Sequence, residues 1–123
     1  MPRSKISFDT VRKIGLVLPG VEASTAWGAP ALKIRGKLMA CVPTHRSAKP
    51  GSLMVRVGFD HRAELLAAAP DVYYVTDHYI GYTAVLVRLS LVTPSVLQDL
   101  LGMAHKFVTS HVARSSLSRR EPA

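Results

Sequence analysis

The sequence predicts one α+β domain, a mainly antiparallel sheet with an N-terminal and a C-terminal helix packed on it. Three observations carry that reading. Apolar residues recur at helical spacing near both ends, at Phe8, Val11, Ile14 and Leu18 and again from Val96 to Val108. Between them lie short runs of strand length, alternating in Leu32 to Arg35 and almost continuously apolar in Ala84 to Leu89. Proline and glycine punctuate the joints, as at Leu18-Pro19-Gly20 and Ala69-Pro70. A chain of 123 residues has the usual length of one domain.

Ser7 precedes the first helical pattern as an N-cap, and Pro19-Gly20 ends it, since proline cannot continue a helix. The period then changes to that of strands. Ala31 to Arg35 and Lys37 to Val42 flank Gly36 and predict a tight hairpin with one apolar and one basic face. Pro43 to Ser52, rich in Pro, Gly, Ser and cations, reads as an exposed loop before a strand at Leu53 to Val57. Asp60 is placed to cap a short helix running to Ala69. Val72 to Val75 reads as extended, and Thr93-Pro94 as the cap and first turn of the closing helix. That helix fades near His111. The pattern assigns residues 1–112 to the folded domain and 113–123 to a basic tail without structure. Leu32, Ile34, Leu38, Val55, Val85, Val87, Leu97, Leu100, Leu101 and Phe107 are expected to form one core.

Composition excludes several classes. At 48% hydrophobic, the chain has enough apolar material for a core and needs neither disulfides nor disorder to explain it. No apolar run approaches the ~18 residues that cross a bilayer, and the N-terminus carries charges without an apolar stretch behind them. With one cysteine, Cys41, no internal disulfide can form, and the expected compartment is the reducing cytoplasm. The net charge is +8, unevenly spread: residues 23–59 contribute +6 and contain no acid. A concentrated positive field attracts polyanions, although a basic surface also serves plain solubility.

Lys33, Arg35 and Lys37 are spaced to present cations along the hairpin, and Arg46 and Lys49 in the next loop could extend them into a phosphate-contacting surface. The plainer reading is a solvated strand face or edge protection. Trp27, beside Gly28 and Pro30, reads as a core anchor at a strand start, with stacking on a planar ligand as the alternative. Tyr79 and Tyr82, with Trp27, could line a ligand groove. The five histidines show no His-x-x-x-His spacing and no Cys-x-x-Cys accompanies them, so no metal site or other cofactor is expected. Asp77-His78 makes a poor catalytic dyad, because neighbours on an extended segment point apart. Cys41, in an apolar strand, reads as an inert small hydrophobe. No phosphate loop, nucleophile elbow or paired acidic motif is present, so no enzyme is expected.

Three blocks resemble the MmcQ/YjbR-like family: Leu18-Pro19-Gly20-Val21-Glu22 with Trp27-Gly28-Ala29-Pro30 and Lys33 to Ala40, then Asp77 to Leu89, then the closing helix around Leu97 to Leu101. The resemblance covers roughly residues 7–112. It implies a CyaY-like fold, similar to that of bacterial frataxin, and a "double wing" surface suited to DNA. Ala104-His105 and Thr83 depart from the family's pattern, which carries an aromatic and a proline or tryptophan there. Iron binding does not carry over, since it needs an acidic ridge and the first helix has only Asp9 and Glu22 near its ends. Two functions follow: a non-specific DNA-binding domain using Lys33, Arg35, Lys37, Arg46 and Lys49, or a protein- or small-ligand-binding module without catalytic activity, using Trp27, Tyr79 and Tyr82.

Overall fold

In the computed structural model, which describes the backbone of residues 6–120 and the side chains of residues 6–110, nine main elements follow one another. They are α1 (Phe8–Gly15), β1 (Val21–Ala26), β2 (Ala29–Ile34), β3 (Lys37–Cys41), β4 (Ser52–Arg56), α2 (Phe59–Ala68), β5 (Tyr73–Tyr74), β6 (Ala84–Arg88) and α3 (Pro94–Arg120), with a 3-10 turn at Leu89–Leu91. The strands form one sheet in the order β1-β2-β3-β4-β6-β5, antiparallel throughout. This is the α+β architecture that the alternation of periods predicts.

Local chemistry explains most boundaries. The Thr93 hydroxyl accepts from the Val96 amide at 3.2 Å, and Pro94 opens α3 where its missing N–H costs nothing. Gly58, not Asp60, is the N-cap of α2, and Asp60 lies in the first turn, where a carboxylate still favours the helix dipole. β1 is an extra strand that the pattern leaves unmarked. Its interior residues are exposed, so an edge strand of small and polar residues has no apolar alternation to show. The helical backbone of α3 continues to Arg120, past the fade expected near His111. The remaining tail residues 121–123, and the side chains of Arg114, Arg119 and Arg120, lie outside the described residues.

Two two-residue turns set the register of the first three strands. Trp27 (φ 52°) with Gly28 (φ 78°), and Arg35 (φ 51°) with Gly36 (φ 79°), have left-handed backbones at both central positions. That is the type I′ geometry, whose twist matches the flanking strands. Arg35 is therefore a turn residue and not the end of a strand. The second turn makes Ile34 face Lys37 and Lys33 face Leu38. Residues directly opposite share a face, so Leu38 leaves the predicted core and joins Lys33 on the other side of the sheet. The pairing then shifts between Leu32 and Lys33, so that Leu32 meets Ala40. Met39 and Ala40 both reach the helix side as a result.

The helices pack on one face only. Val11 of α1, Leu97, Leu100, Leu101, Ala104 and Val108 of α3, and partly buried Leu65 and Leu66 of α2 meet Leu32, Ile34, Leu53, Val55, Val85 and Val87 of the sheet. Phe107 is partly buried at the margin of this core. On the opposite face, a smaller cluster of Ala31, Cys41, Met54, Ala84 and Leu86 is covered by loops. Leu100 is 1% exposed in the centre of α3. Its truncation to Ala removes buried methyl groups and leaves a cavity, so a loss of about 2–5 kcal/mol is expected. Chemical denaturation of Leu100→Ala checks this, and an unchanged midpoint would remove Leu100 from the core.

Candidate functional site

The sheet face away from the helices carries a cleft of about 560 Å3. Its floor is made by Leu38 and Cys41 of β3, Met54 and Arg56 of β4 and Ala84 of β6, all on strands that are themselves buried from behind by the helices. Its walls come from loops 42–51 and 75–83, through Pro43, Thr44 and His45 on one and His78, Tyr79, Tyr82 and Thr83 on the other. Trp27, from the β1–β2 turn, stands at the mouth. It is 75% exposed, so the expected core anchor is instead a projecting ring. The cause is its place in the two-residue turn, outside the paired part of the hairpin.

The two loops hold each other in place. The His45 and His78 rings stack with centroids 3.7 Å apart and planes 7° from parallel. Behind them, the Ser47 and Thr76 hydroxyls are hydrogen-bonded at 2.8 Å. His45 Nδ1 accepts from the Ser47 amide at 3.0 Å, which places the proton of the neutral ring on Nε2. The Tyr74 hydroxyl accepts from the Lys49 amide at 2.8 Å and bonds Ser52, fixing the far end of loop 42–51 to β5. Tyr79 is buried, with its ring edge-on to His78 at 4.7 Å. Burial pushes its phenol pKa up.

Two arginines position the last part of the second loop. Arg62 of α2 donates to the carbonyls of Tyr82 (2.8 Å), Ile80 (3.1 Å) and Ala84 (3.3 Å) while its guanidinium lies over the Phe59 ring. Arg56 donates from Nε to the Thr83 carbonyl and from Nη2 to the Thr83 hydroxyl, both at 2.9 Å. Its guanidinium also sits 5.3 Å from the centroid of Phe107. Desolvation lowers its pKa from the ordinary arginine value. Among the described residues no carboxylate lies within ion-pair distance of it, the ion pair found being that of Asp9 with Arg12.

The structure brings together Trp27, Tyr79 and Tyr82, which line one cleft. It separates the basic residues. Arg35 and Lys37 are exposed at the β2–β3 turn, while Arg46 and Lys49 lie in the loop after Cys41, at the opposite end of a strand about 13 Å long. Lys33 is half-buried between them, with Glu22 of β1 directly opposite it on the same face. Arg56, Thr83, Leu38 and the His45–His78 pair were not singled out by sequence reasoning for this site. The histidines are 33 positions apart, and only the folding of two loops makes them neighbours. His78 finds its partner there and not in Asp77. Cys41 is 1% exposed, and burial pushes its thiol up to about 11, so it is a poor nucleophile near neutral pH. Among the described residues no three His, Cys, Asp or Glu side chains cluster to hold a metal ion, and no helix is long and apolar enough to cross a membrane.

The pKa of His45 is held below its ordinary 6.5 by burial, and further by the charges of His78 and Arg46. A depressed histidine binds fewer protons in the folded than in the unfolded state. Its contribution to stability is therefore complete above pH 6.5 and is lost as the pH falls from there through its folded value. Denaturation midpoints at pH 7.5 and 5.5 should show a larger loss on acidification for the native chain than for His45→Asn. An equal loss would mean that the ring stack does not respond to protonation.

The chain matches the YjbR family model over residues 16–107. Among solved structures it is similar to the crystal structure of the Deinococcus radiodurans protein DR2400, which has a DUF419 domain. The TM-score is 0.67, with 22% sequence identity over 84% of this chain and 78% of that one, a likeness of fold. No curated protein matches the sequence.

Proposed function

The chain belongs to the YjbR family, and from the cleft on its uncovered sheet face we propose that it is a non-catalytic module that binds a small molecule with a flat, apolar body. The observation that carries the reading is the convergence of Trp27, Tyr79 and Tyr82, from two separate segments, over an apolar floor of Leu38, Cys41, Met54 and Ala84. Concave sites of this size, lined mainly by aromatic and aliphatic groups with a few polar ones, are the usual form of a ligand pocket. The placement of Trp27 supports it further. A bulky residue with positive φ costs roughly 1–2 kcal/mol, and strain of this kind gathers where a side chain is needed in one place. The absence of catalysis is part of the proposal, and two features support it. The Cys41 thiol is held protonated, and Ser47, bonded to His45 and Thr76, stands outside the cleft lining.

Trp27→Asn separates stability from binding. Asparagine suits the first central position of a type I′ turn, and little buried surface is lost, so the fold should gain about 0.5–1 kcal/mol. Calorimetric titration with neutral 2-naphthamide should show saturable one-site binding to the native chain and at least a tenfold weaker affinity for the variant. If the native chain binds neither 2-naphthamide nor 2-naphthoate saturably, the proposal fails.

A second reading, non-specific DNA binding by the basic hairpin, is favoured by one observation: Arg35 and Lys37 stand exposed together at the β2–β3 turn. Phosphate contacts release counterions, at about 0.9 per contact in the log–log salt slope on duplex DNA. Replacing both with Ala should lower that slope by about 2 units. Replacing Arg114, Arg119 and Arg120 is the control. An unchanged slope for the turn variant, measured by fluorescence anisotropy, would end this reading.

A further inference from the structure

We infer that the molecule taken by this cleft is an aromatic acid, a flat ring system whose carboxylate seats on Arg56. The inference rests on the ligand-binding reading and specifies its chemistry. Arg56 is a half-buried cation lining a mainly apolar and aromatic cavity. None of the lining residues is acidic, and among the described residues no carboxylate neutralises Arg56. Taking a guanidinium partly out of water without a counter-ion is unfavourable, so such a site is completed by an anion.

The geometry suits a carboxylate in particular. Guanidinium has five N–H donors in a planar fork. Nε and Nη2 each spend one on Thr83, which holds the plane in place and leaves three donors without an acceptor among the described residues. Two parallel N–H groups on one edge match the two oxygens of a carboxylate, a pairing that lysine cannot make. Thr83 and Phe107 thus act as positioning groups for the cation. The rest of the lining sets the remainder of the ligand. Leu38, Met54 and Ala84 offer no polar partner, and Trp27, Tyr79 and Tyr82 offer ring faces and edges, so the body attached to the carboxylate is flat and apolar. A volume of about 560 Å3 accommodates a fused two-ring acid with room to spare.

The test compares 2-naphthoate with its neutral isostere 2-naphthamide by calorimetric titration against the full chain. The native protein should bind the carboxylate about 10–100-fold more tightly, the range of a charge-assisted hydrogen bond converted to an affinity ratio. Arg56→Gln should abolish that preference, so that the variant binds the two probes alike. Arg56→Lys keeps the charge without the fork and should retain only part of the preference. Its thermal melt also shows whether the Thr83 contact is needed for folding. The paired variant Arg35→Gln, Lys37→Gln should bind 2-naphthoate as the native chain does. Equal affinity of the native chain for both probes would overturn the anion while leaving a ligand cleft. Loss of the preference in the Arg35, Lys37 variant would place the anion on the hairpin and overturn it as well. Failure of both probes to bind would overturn the inference together with the reading beneath it.

Discussion

The pairing of β2 with β3 decides which residues meet the helices and which meet the cleft. Because side chains alternate along a strand, a slip of one residue would send Leu32 and Ile34 into the open face and Lys33 under the helices. The Arg35–Gly36 turn prevents the slip by fixing Ile34 opposite Lys37. The register shift between Leu32 and Lys33 then lets two consecutive residues, Met39 and Ala40, serve the core before Cys41 returns to the other side. The helical core and the cleft floor are thus two consequences of one hairpin geometry.

A sheet with all its helices on one face leaves the second face to be dealt with by other means. Here loops 42–51 and 75–83 cover part of it, and side chains rather than backbone ladders tie them down. The histidine stack and the Ser47–Thr76 bond join the loops to each other, and Tyr74 joins one of them to the sheet. Arg56 and Arg62 hold residues 80–84 through five donor contacts, four of them to main-chain carbonyls. Partial coverage held in this way produces a cleft, because polar latches fix the loop positions without filling the space beneath them.

The charge distribution acquires a different meaning in three dimensions. The acid-free segment 23–59 is continuous in sequence, yet its cations take four separate environments, Lys33 lying half-buried opposite Glu22. Arg35 and Lys37 meet solvent at one end of β3, Arg46 and Lys49 ride on the loop beyond its other end, and Arg56 turns into the cleft. A cation in water is screened and serves encounter or solubility. The same group in a partly desolvated cavity selects a counter-ion.

Family membership and fold were legible in the sequence for physical reasons. Helical spacing in α1 and α3, the apolar run of β6, the Thr93-Pro94 start and the glycine at the β2–β3 turn are local signals, and each acts within a few residues. β1 escaped because an exposed edge strand has no apolar period, and Leu38 was assigned to the wrong face because a strand's pattern cannot show its partner. Trp27, Tyr79 and Tyr82 could be named as groove residues from their chemistry alone. That they share a cleft, that His45 reaches His78 across 33 positions, and that Arg56 lies on its floor with no acid beside it among the described residues depend on long-range loop packing. Composition and spacing therefore determined most of the elements and most of the core, because those forces are local. The tertiary structure alone decided the site, because its members meet only after the sheet has formed and two distant loops have closed over the same face.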